Sequence, residues 1–492
     1  SYSAKPLEDV VGGEWRVANA ENMPDFSAVA WFFAKRNHLE KNVPVGIIES
    51  NWGGTPAEGW TEASVLAGMS ASYSKEALDI MENADKWQNE VEENEKRKEL
   101  RNKLISKPDS LAALKVSSLG YDDSQWRKIN LPNSNPLQHI AWVRKVFKAT
   151  SAEDATLHLP LIDQMGYVYL NGKLLHYKDW GTTTPELEIP ASLLLSGNNI
   201  LTIRAINTWD NQPRIGEPGE MYILQGSNKI SLEGVWSYST DIVEPMLPKV
   251  EWINWKPGMM FNAMISPIAD YPIKGAIWYQ GESNAGRAGE YKELFSAMIT
   301  NWRQHWKIGE FPFLFVQLAN FMERKSPQPD SNWAFLRDAQ AQTLSVPNTG
   351  MAVIIDIGEE GDIHPKNKKD VGERLWLQAR KVAYKENILA SGPVFESAIA
   401  EEGKITISFK AVGEGLKLSD DSDSVKGFII ADSKGKFQEV VGEISGNNEV
   451  IFETTIINPS EIRYAWADNP EVNLYNSINL PAEPFKYSFS LE

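Results

Sequence analysis

The chain has 492 residues, with 66 acidic against 49 basic side chains, a net charge of -17 and no cysteine. That length predicts two to four domains. The acidity argues against nucleic acid or anionic membrane as a partner, because phosphates need a basic face, and the missing cysteine removes disulfides, thiolate metal sites and a cysteine nucleophile.

No apolar run reaches the roughly 18 residues of a membrane span. The opening Ser1-Tyr2-Ser3-Ala4-Lys5-Pro6 has no initiator Met and reads as the start of a mature or truncated fragment. The 18 Trp residues suit stacking on sugar faces and serve equally as bulk in large cores.

Along the chain, residues 26–40 read as a helix, 43–48 as a strand and 82–104 as a highly charged, solvated helix. From about residue 110 to 236 the texture changes to period-2 runs at 140–147, 155–161, 166–170 and 199–206. Asn171-Gly172 marks a hairpin between two of these runs. Short strands with polar turns imply a β-sandwich.

From about Trp252 strands and helices alternate: strand 273–278, helix 289–306, strand 313–318, helix 333–345, strand 351–356, helix 367–385. That order predicts a parallel sheet with helices on its faces, so the sandwich is inserted into an α/β domain. From Ser391 onward the chain is all-β again, with runs at 404–409, 425–431, 449–454 and 461–467.

Three strands end in polar or small residues, which is where open α/β sheets bind ligands. They lead into Glu49-Ser50-Asn51-Trp52-Gly53-Gly54-Thr55-Pro56, Gln280-Gly281-Glu282-Ser283-Asn284 and Gly361-Asp362-Ile363-His364-Pro365. Of His38, His139, His158, His176, His305 and His364, only His364 lies in a loop after a central strand. Asp356, Glu359, Glu360 and Asp362 are near it in sequence. A carboxylate beside an imidazole makes a general base. The bland alternative is an exposed histidine in an acidic loop.

A divalent ion on His364, Asp362 and Glu359 is a rival reading, and no second histidine accompanies them at ligand spacing. Glu282 can orient His364. Asn284 and Gln280 can donate to an oxyanion, and Gly53 and Gly54 leave backbone amides bare for the same purpose. Trp52 can wall a sugar pocket. Ser283 is a tempting nucleophile, but the full Gly-x-Ser-x-Gly elbow is absent because residue 285 is Ala.

The segments 51–60, 278–284 and 362–368 resemble the sialate O-acetylesterase family of the SGNH hydrolases, to which acetylxylan esterases are related. The resemblance covers most of the chain. It implies an α/β fold: a Rossmann-like SGNH hydrolase three-layer core at 1–105 and 240–392, a galactose-binding-like β-sandwich inserted at 106–239, and a C-terminal β-sandwich at 393–492.

It further implies serine-esterase removal of acetyl groups from sugars, with no metal or other cofactor, an acetylated carbohydrate as partner, and an extracellular or periplasmic location. His364 corresponds to the base. The acid corresponds to Asp362 or to Glu282. The family's common three-residue Asp-to-His spacing is absent, since Asp362 is two residues before His364, and this favours Glu282. Gly53, Gly54 and the Gln280–Asn284 block match the oxyanion regions.

The family's nucleophile stands in a Gly-Gln-Ser-Asn-Met type block ahead of the region resembling Pro6 to Trp31. No such block occurs here, so the expected serine lies upstream of these residues. Two other classes remain open: a carbohydrate-binding protein without catalysis, and a glycoside hydrolase using Glu282 and Asp362 as its carboxylate pair.

Overall fold

The computed structural model describes all residues except 106–110, 133–136, 138–139, 180–181, 209–212, 241–247, 402, 457 and 490–492. The chain separates into two compact units, Ser1–Glu93 with Glu251–Glu492, and Asn94–Val250. The expected domain boundaries near 106 and 240 adjoin segments outside the described residues, and His139 also lies outside them.

In the unit Asn94–Val250, six antiparallel strands lie in the spatial order Arg127–Leu131, Gly234–Ser239, Ile140–Ala149, Gly197–Ile206, Met165–Leu170, Lys173–Lys178. A second sheet holds Leu187–Ile189, Ala155–His158, Tyr222–Gln225 and Asn228–Ser231. Alternate residues of both sheets meet in one apolar cluster, Val143, Val168 and Ile203 from the first and Leu157, Leu187 and Ile223 from the second. The hairpin predicted at Asn171-Gly172 is present. Both residues have positive φ (48° and 85°), the combination that a two-residue turn matched to strand twist requires.

The other unit contains a parallel three-stranded sheet, Ala276–Trp278, Phe313–Val316 and Thr349–Ala352, in that order. Strand residues alternate between two cores, as a period of two demands. Phe313 and Phe315 pack with Tyr291, Phe295, Met298 and Trp302 of the helix Ala288–Trp306. Leu314 and Val316 pack with Val371, Leu375 and Trp376 of the helix Lys368–Val382 and with Val29 of the helix Ala28–Lys41. The fold is therefore a mixed α/β architecture with several sheets.

The last hundred residues add a seven-stranded sheet from Val394 to Ser488 and a two-stranded one, Leu416–Leu418 with Leu474–Asn476. Their apolar residues, Ile407, Phe428 and Phe452 among them, join the cluster that covers the Phe313/Phe315 face.

One expected strand is not formed. Residues 43–50 take no regular secondary structure and pair with no strand among the described residues, and their apolar side chains stay half or fully exposed. An apolar run favours strand conformation, but a strand exists only through hydrogen bonds to a neighbour.

Candidate active site

The loop after Trp278 sits tightly on the helix Asn332–Gln342. A side chain at Gly281 would meet Leu336 Cδ2 at 2.7 Å and Gln340 Nε2 at 3.0 Å, so a larger residue would displace those side chains. This close approach lets Gln340 Nε2 donate to the Gln280 carbonyl at 3.1 Å.

Beyond it, two of the three motif segments lock together. Asn284 Oδ1 accepts from the Ala57 N–H at 3.0 Å and from Gln280 Nε2 at 2.7 Å. Asn284 Nδ2 donates to Glu58 at 2.9 Å. Gln280 Nε2 also donates to the Thr55 carbonyl at 3.2 Å, and Ser283 Oγ to the Gly54 carbonyl at 2.8 Å. Glu58 is only 4% exposed and forms an ion pair with Arg287.

The side-chain amides of Gln280 and Asn284, proposed from sequence as oxyanion donors, thus serve the architecture of the 54–58 turn. Gly53 and Gly54 remain solvent-exposed at its tip, with open space at Gly53 and a positive φ of 73° at Gly54. Trp52 is half-buried, its ring edge-on to Tyr2 at 6.2 Å.

The third segment behaves differently. Its base is anchored, because Asp356 accepts from both terminal nitrogens of Arg374 at 2.6 and 2.7 Å and from the Tyr475 hydroxyl at 2.9 Å. Its tip is open. The His364 side chain is 84% exposed, with Nδ1 at 3.4 Å from Asp362 Oδ1. That same oxygen accepts the His364 backbone N–H at 2.9 Å. This contact, foremost, holds the Asp362 carboxyl below its ordinary range.

Glu282 faces the opposite pressure. Burial pushes its carboxyl above the ordinary range, while its own and Gly281's N–H groups, His364 and Lys368 pull it back. The hydrogen bonds above join the first and second segments, and His364 of the third acts on Glu282 through its charge alone.

Of the carboxylates near His364 in sequence, Asp356 is committed to Arg374, and Glu359 to Lys366 at 2.9 Å. The His364, Asp362 and Glu359 set is not assembled as a metal site; among the described residues no group of three or more His, Asp or Glu is placed to hold a metal ion. Neither serine near the motifs is hydrogen-bonded to His364. Ser283 donates to Gly54, and Ser50 Oγ donates to the Met264 carbonyl at 2.9 Å.

Sequence reasoning missed Glu58, Arg287 and Lys368. Glu58 was within reach, lying inside the 51–60 segment with its charge in an otherwise small and apolar stretch.

Comparison with known proteins gives this geometry a context. Residues 250–379 match the family model described as carbohydrate esterase, sialic acid-specific acetylesterase. The chain is 36% identical over 170 residues to the sialate O-acetylesterase of Mus musculus (31% of each chain). It is 35% identical over 173 residues to that of Homo sapiens, covering 31% of this chain and 33% of the human one. The chain thus spans about a third of the length of these curated relatives.

The crystal structure of a carbohydrate acetylesterase from Xanthomonas citri is similar over 99% of this chain and 71% of that one, with 28% identity and a TM-score of 0.59. The chain is therefore similar to sialate O-acetylesterases over about a third of its length, the family model covering the segment that holds Glu282 and His364, and to a bacterial carbohydrate acetylesterase along nearly its whole length.

Proposed function

We propose that this protein is a carbohydrate O-acetylesterase that hydrolyses acetyl esters on sugars by a serine-hydrolase mechanism. The observation that carries the reading is the hydrogen-bonded interlock of the 54–58 and 280–284 segments, with the second and third motif segments both following strands of the parallel sheet. We read the helix-covered sheet as a Rossmann-like SGNH hydrolase core (1–105 and 240–392), with a β-sandwich inserted at 106–239 and another at 393–492.

In this scheme a serine hydroxyl attacks the acetyl carbonyl. His364 takes its proton and returns one to the departing sugar hydroxyl. Glu282, or Asp362, holds the imidazole. Asp362 lies beside the imidazole, but its oxygen is shared with the backbone N–H of His364, whereas Glu282 belongs to a separate segment and is influenced by the charge of His364. The backbone N–H groups around Gly53 and Gly54 receive the oxyanion; Gln280 and Asn284 hold that turn in place, and Trp52 borders the sugar.

The hydroxyls of Ser283 and Ser50 are engaged elsewhere, which supports a nucleophile from outside these residues. So do two open edges among the described residues: the unpaired stretch 43–50, and the strand Ala276–Trp278 with a neighbour on one side only. An exported location accords with the substrate. No helix among the described residues is long and apolar enough to cross a membrane.

Acetate release from an aryl acetate and from an acetylated sugar, measured for this chain and for a form extended upstream, tests the proposal. Activity confined to the extended form, reduced about 10²–10⁴-fold by His364→Ala, is expected. Cleavage of a glycosidic bond in unacetylated substrate would replace the esterase by a glycosidase. Sugar binding without any hydrolysis would replace it by a binding protein.

A further inference from the structure

Glu58 lies buried in the short turn Ala57–Trp60, where its backbone carbonyl accepts the Gly258 N–H at 3.0 Å. Both neighbours of its carboxylate are donors. Oε1 accepts from Arg287 Nη2, and Oε2 accepts from Asn284 Nδ2 at 2.9 Å. A carboxylate accepts on both oxygens, whereas a glutamine accepts at one atom and donates from the other. A side chain of this length therefore satisfies both neighbours only if it is acidic.

The consequence runs inward. With Nδ2 committed to Glu58, Asn284 Oδ1 faces the Ala57 N–H at 3.0 Å and Gln280 Nε2 at 2.7 Å. The reversed amide would set oxygen against the carboxylate and NH2 against the Ala57 N–H, two repulsive contacts in place of two bonds. Gln280 follows: its Nε2 also donates to the Thr55 carbonyl at 3.2 Å, and its Oε1 accepts the Tyr291 hydroxyl at 2.9 Å. Donors and acceptors thus match without conflict from Arg287 to Tyr291. The outer end is held as well. Arg287 Nη1 donates to Ser72 Oγ at 3.3 Å, lies 3.5 Å from Glu290, and its guanidinium is 6.0 Å from the centre of the Tyr73 ring. The charged or titratable groups around Glu58 are Arg287, Glu290, Tyr73 and Tyr291, and Arg287 is the one cation among them.

We propose that Glu58 is a positioning residue of this site: as a buried two-sided acceptor between Arg287 and Asn284, it fixes the Asn284 amide in one orientation and thereby holds the turn that presents the Gly53 and Gly54 N–H groups. This rests on the reading of that turn as the oxyanion site.

An exchange of donor and acceptor tests it. Asn284→Asp sets a second carboxylate against Glu58, and such a pair is stable only while it holds a proton between its members. This variant is expected to unfold at a lower temperature than wild type, and at a still lower one as pH rises from about 5 to 8. The double variant Glu58→Gln/Asn284→Asp again faces a donor with an acceptor on each side and keeps the net charge, so it is expected to unfold near the wild-type temperature without the added pH dependence. If Asn284→Asp alone does not fold, adding it to Glu58→Gln is expected to raise the unfolding temperature of that variant. A double variant no more stable than either single one overturns the proposal.

In the upstream-extended form, Asn284→Asp is expected to lower kcat about 10²-fold with KM little changed, and the double variant to recover most of that loss. An unchanged kcat in Asn284→Asp overturns the positioning role. The unfolding comparison needs no turnover, so it tests Glu58 separately; absence of acetate release in every form, wild type included, overturns the esterase reading instead.

Discussion

The two halves of the site are built on opposite principles. The 51–58 and 280–287 segments are interlocked by buried hydrogen bonds around Asn284 and Glu58, so their geometry is set when the chain folds. The His364 loop is fixed only at its base, by Asp356, Arg374 and Tyr475, and its tip is in solvent. Oxyanion stabilisation depends on donors that do not reorganise during the reaction, which suits the first arrangement. The contrast teaches that the first two segments are held by buried hydrogen bonds, while the His364 loop is held only at its base.

Substitutions can break or sharpen that contrast. The largest effect is expected at the anchor of the His364 loop: Arg374→Met leaves the mostly buried Asp356 carboxylate without its cation, with only the Tyr475 hydroxyl donating to it, at a cost of about 3 kcal/mol in denaturant unfolding. Asn284→Ala comes next. It strands the Ala57 N–H and one oxygen of Glu58 and removes one of the two acceptors of Gln280 Nε2, so a loss of about 3 kcal/mol is expected by the same measurement, and a loss below ~1 kcal/mol would show that the interlock is not stabilising.

Glu282 gives a pH signature. Its folded carboxyl is held above the ordinary value of 4.5, so its contribution to stability is fully present below that value and lost as pH rises through the folded one. Unfolding followed against pH is therefore expected to show a decline in wild type over that window that Glu282→Gln lacks. Ser283→Ala removes one hydrogen bond from the interlock, for about 0.5–1.5 kcal/mol. The smallest stability effect is expected at His364→Ala, within about 0.5 kcal/mol because the side chain is exposed, although it carries the largest expected effect on hydrolysis.

Much of this architecture was legible in the chain. The alternation at Phe313-Leu314-Phe315-Val316 sets which residues face each core, the positive-φ pair Asn171-Gly172 sets a hairpin, and His364 stands out as the one histidine in a loop after a central strand. These follow from periodicity and turn chemistry, which neighbouring residues alone decide. The strand expected at 43–48 failed because pairing depends on a partner remote in sequence.

The same limit governs the site. Sequence could nominate Gln280 and Asn284 as polar groups at a strand end, but not where their hydrogen bonds would go; only folding, which places Thr55, Ala57 and Glu58 beside them across more than 200 residues, turned candidate donors into the lock of a turn. Whether Asp356, Asp362 or Glu282 attends His364 was equally beyond composition and spacing. Arg374 and Tyr475 claim the first, the backbone N–H of His364 occupies the second, and burial raises the proton affinity of the third. A carboxylate's role is set by what surrounds it in space, and the sequence by itself determined which groups were available, not which would be free.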